Sequence, residues 1–117
     1  MTTQQVANRL VELCRTGQIL QAQEELYGDD INSIEPEHAP GQSAKGKKAV
    51  IERGKQFAST IEERHGGSFS DPLVSGRYFS VAMTLDATLK GMGRNLLEEI
   101  CVYEVKDGKI VFEQFYY

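Results

Sequence analysis

Residues 99–117, EICVYEVKDGKIVFEQFYY, hold the side chains best suited to chemistry, in two strand-like runs around Asp107-Gly108. An Asp-Gly pair accepts the positive φ angles of a two-residue type I′ turn, so the runs read as a hairpin. With Asp107 and Gly108 as the loop, Lys106 faces Lys109, Val105 faces Ile110 and Tyr103 faces Phe112. The same register sets Cys101 opposite Gln114 and Glu99 opposite Tyr116. Side chains alternate across a strand, which puts these pairs on one face. That face is apolar near the turn and carries a carboxylate, a thiol, an amide and a phenol at its far end. Such a gradient suits a cavity wall that orients a small molecule through a few polar groups. An ordinary core face whose polar end reaches solvent has the same pattern.

Other residues with chemical potential are poorly arranged for it. The segment GQSAKGKK (41–48) approaches the phosphate-binding GxxxxGK[ST] loop, but Lys48 stands where the magnesium-holding hydroxyl belongs and no long buried strand precedes it. His38 and His65 are the two histidines, and neither lies in an HxxxH or HExxH arrangement, so no metal is implied. His65 precedes two glycines at an expected helix end, where a cation suits the dipole. His38 follows Glu35 in a loop, within reach of a pocket mouth. Cys14 and Cys101 fit no metal spacing and no CxxC motif. Gly91-Met92-Gly93 sits between strands and reads as a turn.

Bulk properties narrow the class. A chain of 117 residues reads as one domain, residues 1–117, able to bury a core without metal or disulfide staples. A net charge of −4 argues against a nucleic-acid partner, which needs a basic face. No apolar run approaches the length of a membrane span, and the N-terminus lacks the pattern of a signal peptide. The cysteines are therefore expected to be reduced thiols in a cytoplasmic protein.

The elements that must position the hairpin follow from periodicity. Val6, Leu10, Leu13 and Cys14 recur at helical spacing over 4–15, and a second helix spans 19–27 with Ile19, Leu20, Ala22, Gln23 and Leu26 as its buried stripe. A turn at Gly28-Asp29-Asp30 and a short strand over 31–35 precede a loop over 36–46 that holds two prolines and two glycines. The third helix is expected over 47–64, with Val50, Ile51, Phe57, Ala58 and Ile61 inward. Strands follow over 68–76, weakened by Pro72, then over 77–89 and 95–106. On the strand over 77–89, Phe79, Val81, Met83, Leu85 and Ala87 share one face. Helices first and an antiparallel meander afterwards give an α+β domain with helices on one face of the sheet.

Three local motifs in this order resemble one superfamily. Residues 26–36, LYGDDINSIEP, are similar to the "aromatic, small, Asp-Asp" turn of nuclear transport factor 2-like proteins, with its following strand and acidic-Pro pair. Residues 46–51, GKKAVI, resemble the Gly-x-x-Ala-Ile start of that family's long helix, and DGKIV (107–111) resembles its last hairpin. With the element order, the match covers nearly the whole chain and is nearest the SnoaL-like group, which includes polyketide cyclases and ketosteroid isomerases. The resemblance implies a cone-shaped α+β barrel: three N-terminal helices on a strongly curved antiparallel sheet, around an apolar cavity, commonly as a dimer. It turns Phe79, Val81, Met83 and Leu85 inward, to wall the cavity with Cys101 and Tyr103.

The resemblance also assigns roles. In the ketosteroid isomerase branch the acidic residue before that proline is the general base, and Glu35 holds the matching position. Burial in an apolar cavity would raise its pKa toward the range useful for proton abstraction. The branch's two oxyanion donors fall at Leu10 and Cys101, so both are absent and its steroid chemistry is not expected. Glu99 and Tyr116 could substitute, with Gln114 and His38 contacting the ligand. Three functions remain open: an acid–base enzyme (isomerase, cyclase or hydrolase type) on a compact apolar substrate, a non-catalytic ligand-binding module, or a dimeric interaction domain with a filled cavity. No cofactor is implied. A homodimer is expected through the opposite sheet face, with Ile100, Val102, Val111, Phe115 and Tyr117 among Glu98, Glu104 and Glu113.

Overall fold

The computed structural model describes residues 1–39 and 41–117; Pro40, within the expected 36–46 loop, lies outside the described residues. The chain starts with α1 (Thr3–Arg15), held at its N-terminus by a capping box in which Thr2 Oγ1 accepts from Gln5 N at 3.1 Å and Gln5 Oε1 accepts from Thr2 N at 2.8 Å. Its apolar stripe, Val6, Ala7, Leu10, Val11 and Leu13, is buried. Next come α2 (Ile19–Leu26), β1 (Tyr27–Ile34), β2 (Ala44–Lys45) and α3 (Lys47–Ser59). The rest is strand: β3 (Ile61–Phe69), β4 (Leu73–Ser75), β5 (Tyr78–Leu89), β6 (Gly93–Lys106) and β7 (Lys109–Tyr116). No helix is long and apolar enough to cross a membrane among the described residues.

The sheet runs β2-β1-β7-β6-β5-β3, with β4 also on β5, and its inner face is covered by the helices. All pairs are antiparallel except β1 with β7, which are parallel. The α+β class and the three leading helices agree with expectation; the parallel pair does not follow from a meander. It arises because β1 precedes the crossover through α3 and returns to the sheet beside the last strand.

Three expectations fail in detail. The third helix stops at Ser59, and residues 61–69 form β3. Thr60 Oγ1 and Ser59 Oγ bond back to the last turn, and Lys90 N donates to Thr60 O, so pairing with β5 begins where the helix ends. Residues IEERH are helix-prone but offer no side chain that is fully buried, and the ladder to β5 decides their state. Phe57 and Ala58 on α3, like Ile19 and Leu20 on α2, are exposed rather than inward. Finally, β1 starts at Tyr27, so Gly28-Asp29-Asp30 is strand rather than turn.

β3 shifts register twice against β5, and such bulges bend a sheet. At Gly67 an added Cβ would lie 2.8 Å from the Arg64 guanidinium and 2.9 Å from Thr84 O, so the bend leaves no room for a side chain.

Candidate functional site

The hairpin turn forms as expected, with φ of 53° at Asp107 and 75° at Gly108, and with Lys106 opposite Lys109 and Val105 opposite Ile110. The register then slips. Glu104, not Tyr103, pairs with Phe112, because Val111 is an extra residue on β7. Beyond this bulge Tyr103 faces Glu113, Cys101 faces Phe115 and Ile100 faces Tyr116. The expected pairs Tyr103–Phe112, Cys101–Gln114 and Glu99–Tyr116 do not form. Gln114 and Tyr116 therefore lie on the outer face, and Tyr116 is 52% exposed. Glu113, Phe115 and Tyr117, expected outside, belong to the inner side.

This slip assembles rows across the inner face. Ser33, Glu113, Tyr103 and Phe79 form one row through successive pairs. Phe115, Cys101 and Val81 form the next. Glu99, Met83 and Phe69 form the third. Phe79 and Tyr103 stack with ring centroids 4.6 Å apart, which fills the cone near its first row. Leu85, half-buried opposite Leu97, sits farther along β5.

Glu113 is the centre of a polar network inside this apolar setting. It is 1% exposed, accepts from Tyr27 Oη, and accepts from Ser33 Oγ at 2.7 Å. Arg53 on α3 donates to Ser33 Oγ at 2.6 Å, and its guanidinium lies 3.7 Å from carboxylate oxygens of both Glu113 and Glu35. Arg53 also donates to Gln42 O at 3.0 Å and rests over the Phe115 ring. Glu35 accepts from Tyr117 Oη at 2.7 Å, and the exposed His38 ring meets Tyr117 edge-on. Burial raises the Glu113 pKa; the Tyr27 and Ser33 hydrogen bonds and the Arg53 charge pull it down, and Glu35 adds to the rise. The Tyr27 phenol is pushed well up, first by burial and then by the Glu113 charge.

Glu99 is handled differently. It forms no ion pair among the described residues, and its partner is the Cys101 thiol, whose Sγ donates to Oε1 at 3.4 Å. Burial raises its pKa, the Cys101 hydrogen bond lowers it, and the charges of Glu35 and Glu113 raise it further. Glu35 and Glu113 are joined through Arg53, and Glu99 lies on the same inner face, two rows from Glu113.

The space left inside is small. A cavity of about 20 Å³ lies between α1 and the sheet, room for one water. Of the expected wall residues, Val81, Met83, Cys101 and Tyr103 line it, joined by Leu10 and Cys14 from α1. Phe79 and Leu85 do not. Burial pushes the Cys14 thiol up to about 11, with the Glu113 charge adding to it. Among the described residues no cluster of His, Cys, Asp and Glu could hold a metal.

Sequence reasoning missed Glu113, Tyr27, Ser33, Arg53, Phe115 and Tyr117. Tyr27 and Ser33 stand inside the quoted LYGDDINSIEP motif, whereas Arg53 is one of several charged residues on the third helix and belongs to no motif. Only the succession Ile110-Val111-Phe112, three apolar residues without alternation, hinted at a bulge.

A model of the SnoaL-like domain matches residues 1–117. The chain belongs to the SnoaL-like family. This SnoaL-like protein is similar, at 36% identity over 100% of both chains and a TM-score of 0.94, to a protein from Mesorhizobium loti. The two designations of that protein, candidate SnoaL-like polyketide cyclase and carbohydrate phosphatase, name different chemistries. An NTF2-like protein of unknown function from Burkholderia pseudomallei shares the fold at 16% identity and a TM-score of 0.79, covering 100% of this chain and 92% of that one. So does a protein with a ketosteroid isomerase-like fold from Catenulispora acidiphila, solved with trimethylamine, at 17% identity and a TM-score of 0.75, covering 96% of this chain and 84% of that one. No curated protein matches the sequence.

Proposed function

We propose that this SnoaL-like protein binds a small molecule at the mouth of its cone and moves a proton on it, with Glu99 as the acid and Glu35 as the base. The observation that carries this reading is the unequal treatment of three neighbouring carboxylates. Glu113 is taken up by Tyr27, Ser33 and Arg53, so it serves structure. Glu35 is oriented by Arg53 and Tyr117. Glu99 has a raised pKa and no cation beside it among the described residues, which suits a group that holds its proton more tightly than an ordinary carboxylate. Tyr117 takes the part once expected of Tyr116.

A cavity of about 20 Å³ does not hold a substrate, so the ligand would sit at the mouth, against Phe115, Tyr117, Glu35 and Glu99, or open the cone further. A small amine fits carboxylates beside aromatic rings, and the trimethylamine complex of the Catenulispora protein supports that class. The filled interior favours a second reading, a non-catalytic binding module using the same mouth.

The test is a thermal-shift and NMR screen of small amines and their neutral isosteres on wild type, Glu35→Gln and Glu99→Gln. Ligands should stabilise wild type and lose at least tenfold in affinity in either variant. Turnover of any substrate found should vanish in Glu35→Gln. Ligands that bind all three proteins equally would remove both carboxylates from the site, and binding without turnover would select the module.

A further inference from the structure

Glu99 has a single hydrogen-bond partner among the described residues, and it comes from the same strand. Cys101 lies two positions along β6 on the same face, is 2% exposed, and its Sγ is 3.4 Å from Glu99 Oε1. We propose that Cys101 is a positioning residue whose thiol donates to Glu99 and holds the carboxyl turned into the cone. This rests on the reading of Glu99 as the proton-transfer acid.

The surroundings of Glu99 leave that task to the thiol. Met83 faces it from β5 and has no proton to donate. Glu35 at the end of β1 and Glu113 on β7 repel its charged form. Arg53 on α3 is engaged by those two carboxylates, and the Tyr117 hydroxyl donates to Glu35. Without the thiol donor, the carboxyl would keep the burial and the two like charges that raise its pKa and lose the one hydrogen bond that lowers it. A thiol suits the position because burial, reinforced by the Glu99 charge, keeps Cys101 protonated well past neutrality, so the sulfur stays a donor. Serine would withdraw the donor, since a Cβ–O bond is shorter than Cβ–S. Alanine or valine at the position leaves the carboxyl unpartnered.

The experiment uses the unliganded protein, so its outcome is independent of whether any ligand or turnover is found. Glutamate and aspartate carboxyl carbons are titrated by NMR in wild type, Cys101→Val and Cys101→Ala. The Glu99 midpoint should rise by about half to one pH unit in both variants, as expected for loss of a weak donor to a charged acceptor. The Asp86 midpoint should stay in place. The wild-type chain provides a measurement that needs no Cys101 variant to fold: of its two S–H infrared stretching bands, one should move to lower frequency as Glu99 ionises. Glu99→Gln should abolish that movement. A Glu99 midpoint unmoved in the folded variants, or S–H bands indifferent to pH, overturns the proposal.

Discussion

Replacing Glu113 with Gln keeps the side chain's shape and removes its charge, and the consequence depends on pH in a way the structure dictates. The carboxyl is 1% exposed, and burial lifts its pKa above the ordinary 4.5 by more than Tyr27, Ser33 and Arg53 lower it. The folded chain therefore binds this proton more tightly than the unfolded chain. Below about pH 4.5 the acid is neutral in both states and its contribution is fully present. Above that, the unfolded chain releases the proton first, and stability falls until the pH passes the raised folded value. Within this window one such group costs about 1.4 kcal/mol per pH unit. Glu99, raised in the same direction and first of all by burial, adds a second decline, which Glu113→Gln lessens only by removing the Glu113 charge. At low pH the variant should be less stable than wild type by about 1 kcal/mol, for one imperfectly replaced hydrogen bond. As pH rises, wild type loses stability that the variant does not, so the gap narrows by about 1.4 kcal/mol per unit. Urea unfolding at fixed ionic strength, from about pH 4 to about pH 8, reads the difference directly. A gap that is constant or widens with pH would mean that the folded protein does not raise Glu113, and the account of the network would be wrong.

Arg53→Met removes the cation shared by Glu35 and Glu113, and at neutral pH it should cost about 2–4 kcal/mol, somewhat less than a fully buried pair because the arginine is partly exposed. The loss should shrink near pH 4 in the same urea series, and a pH-independent loss would point to packing on Phe115 alone. On the outer face, Ala82, Ile100 and Tyr116 form an uncharged row with Ile100 46% exposed, so a homodimer through this face should fall to monomers in Ile100→Glu. Light scattering that shows wild type monomeric at micromolar concentration would overturn the dimer.

Local features of this chain were decided by local chemistry. Asp107-Gly108 makes a type I′ turn because both residues tolerate positive φ, and the two pairs next to it follow automatically. The alternation of Phe79, Val81 and Met83 sets the inner face of β5, and Thr2 and Gln5 start α1. The three motifs pointed to the family, and motif and face alone singled out Glu35 and Glu99 as candidates. Tertiary structure decided the rest. Residues 61–64 are acceptable in a helix and became β3 because β5 offered backbone partners. In β7 the run Ile110-Val111-Phe112 is apolar throughout, so alternation cannot say which residue is skipped. That choice was made by β7 lying between β6 and β1, with Val111 bulged so that Glu113 meets the hydroxyls of Tyr27 and Ser33, 86 and 80 residues away in sequence. A glutamate reads as a surface residue until donors from other elements surround it, and no local pattern records that they will.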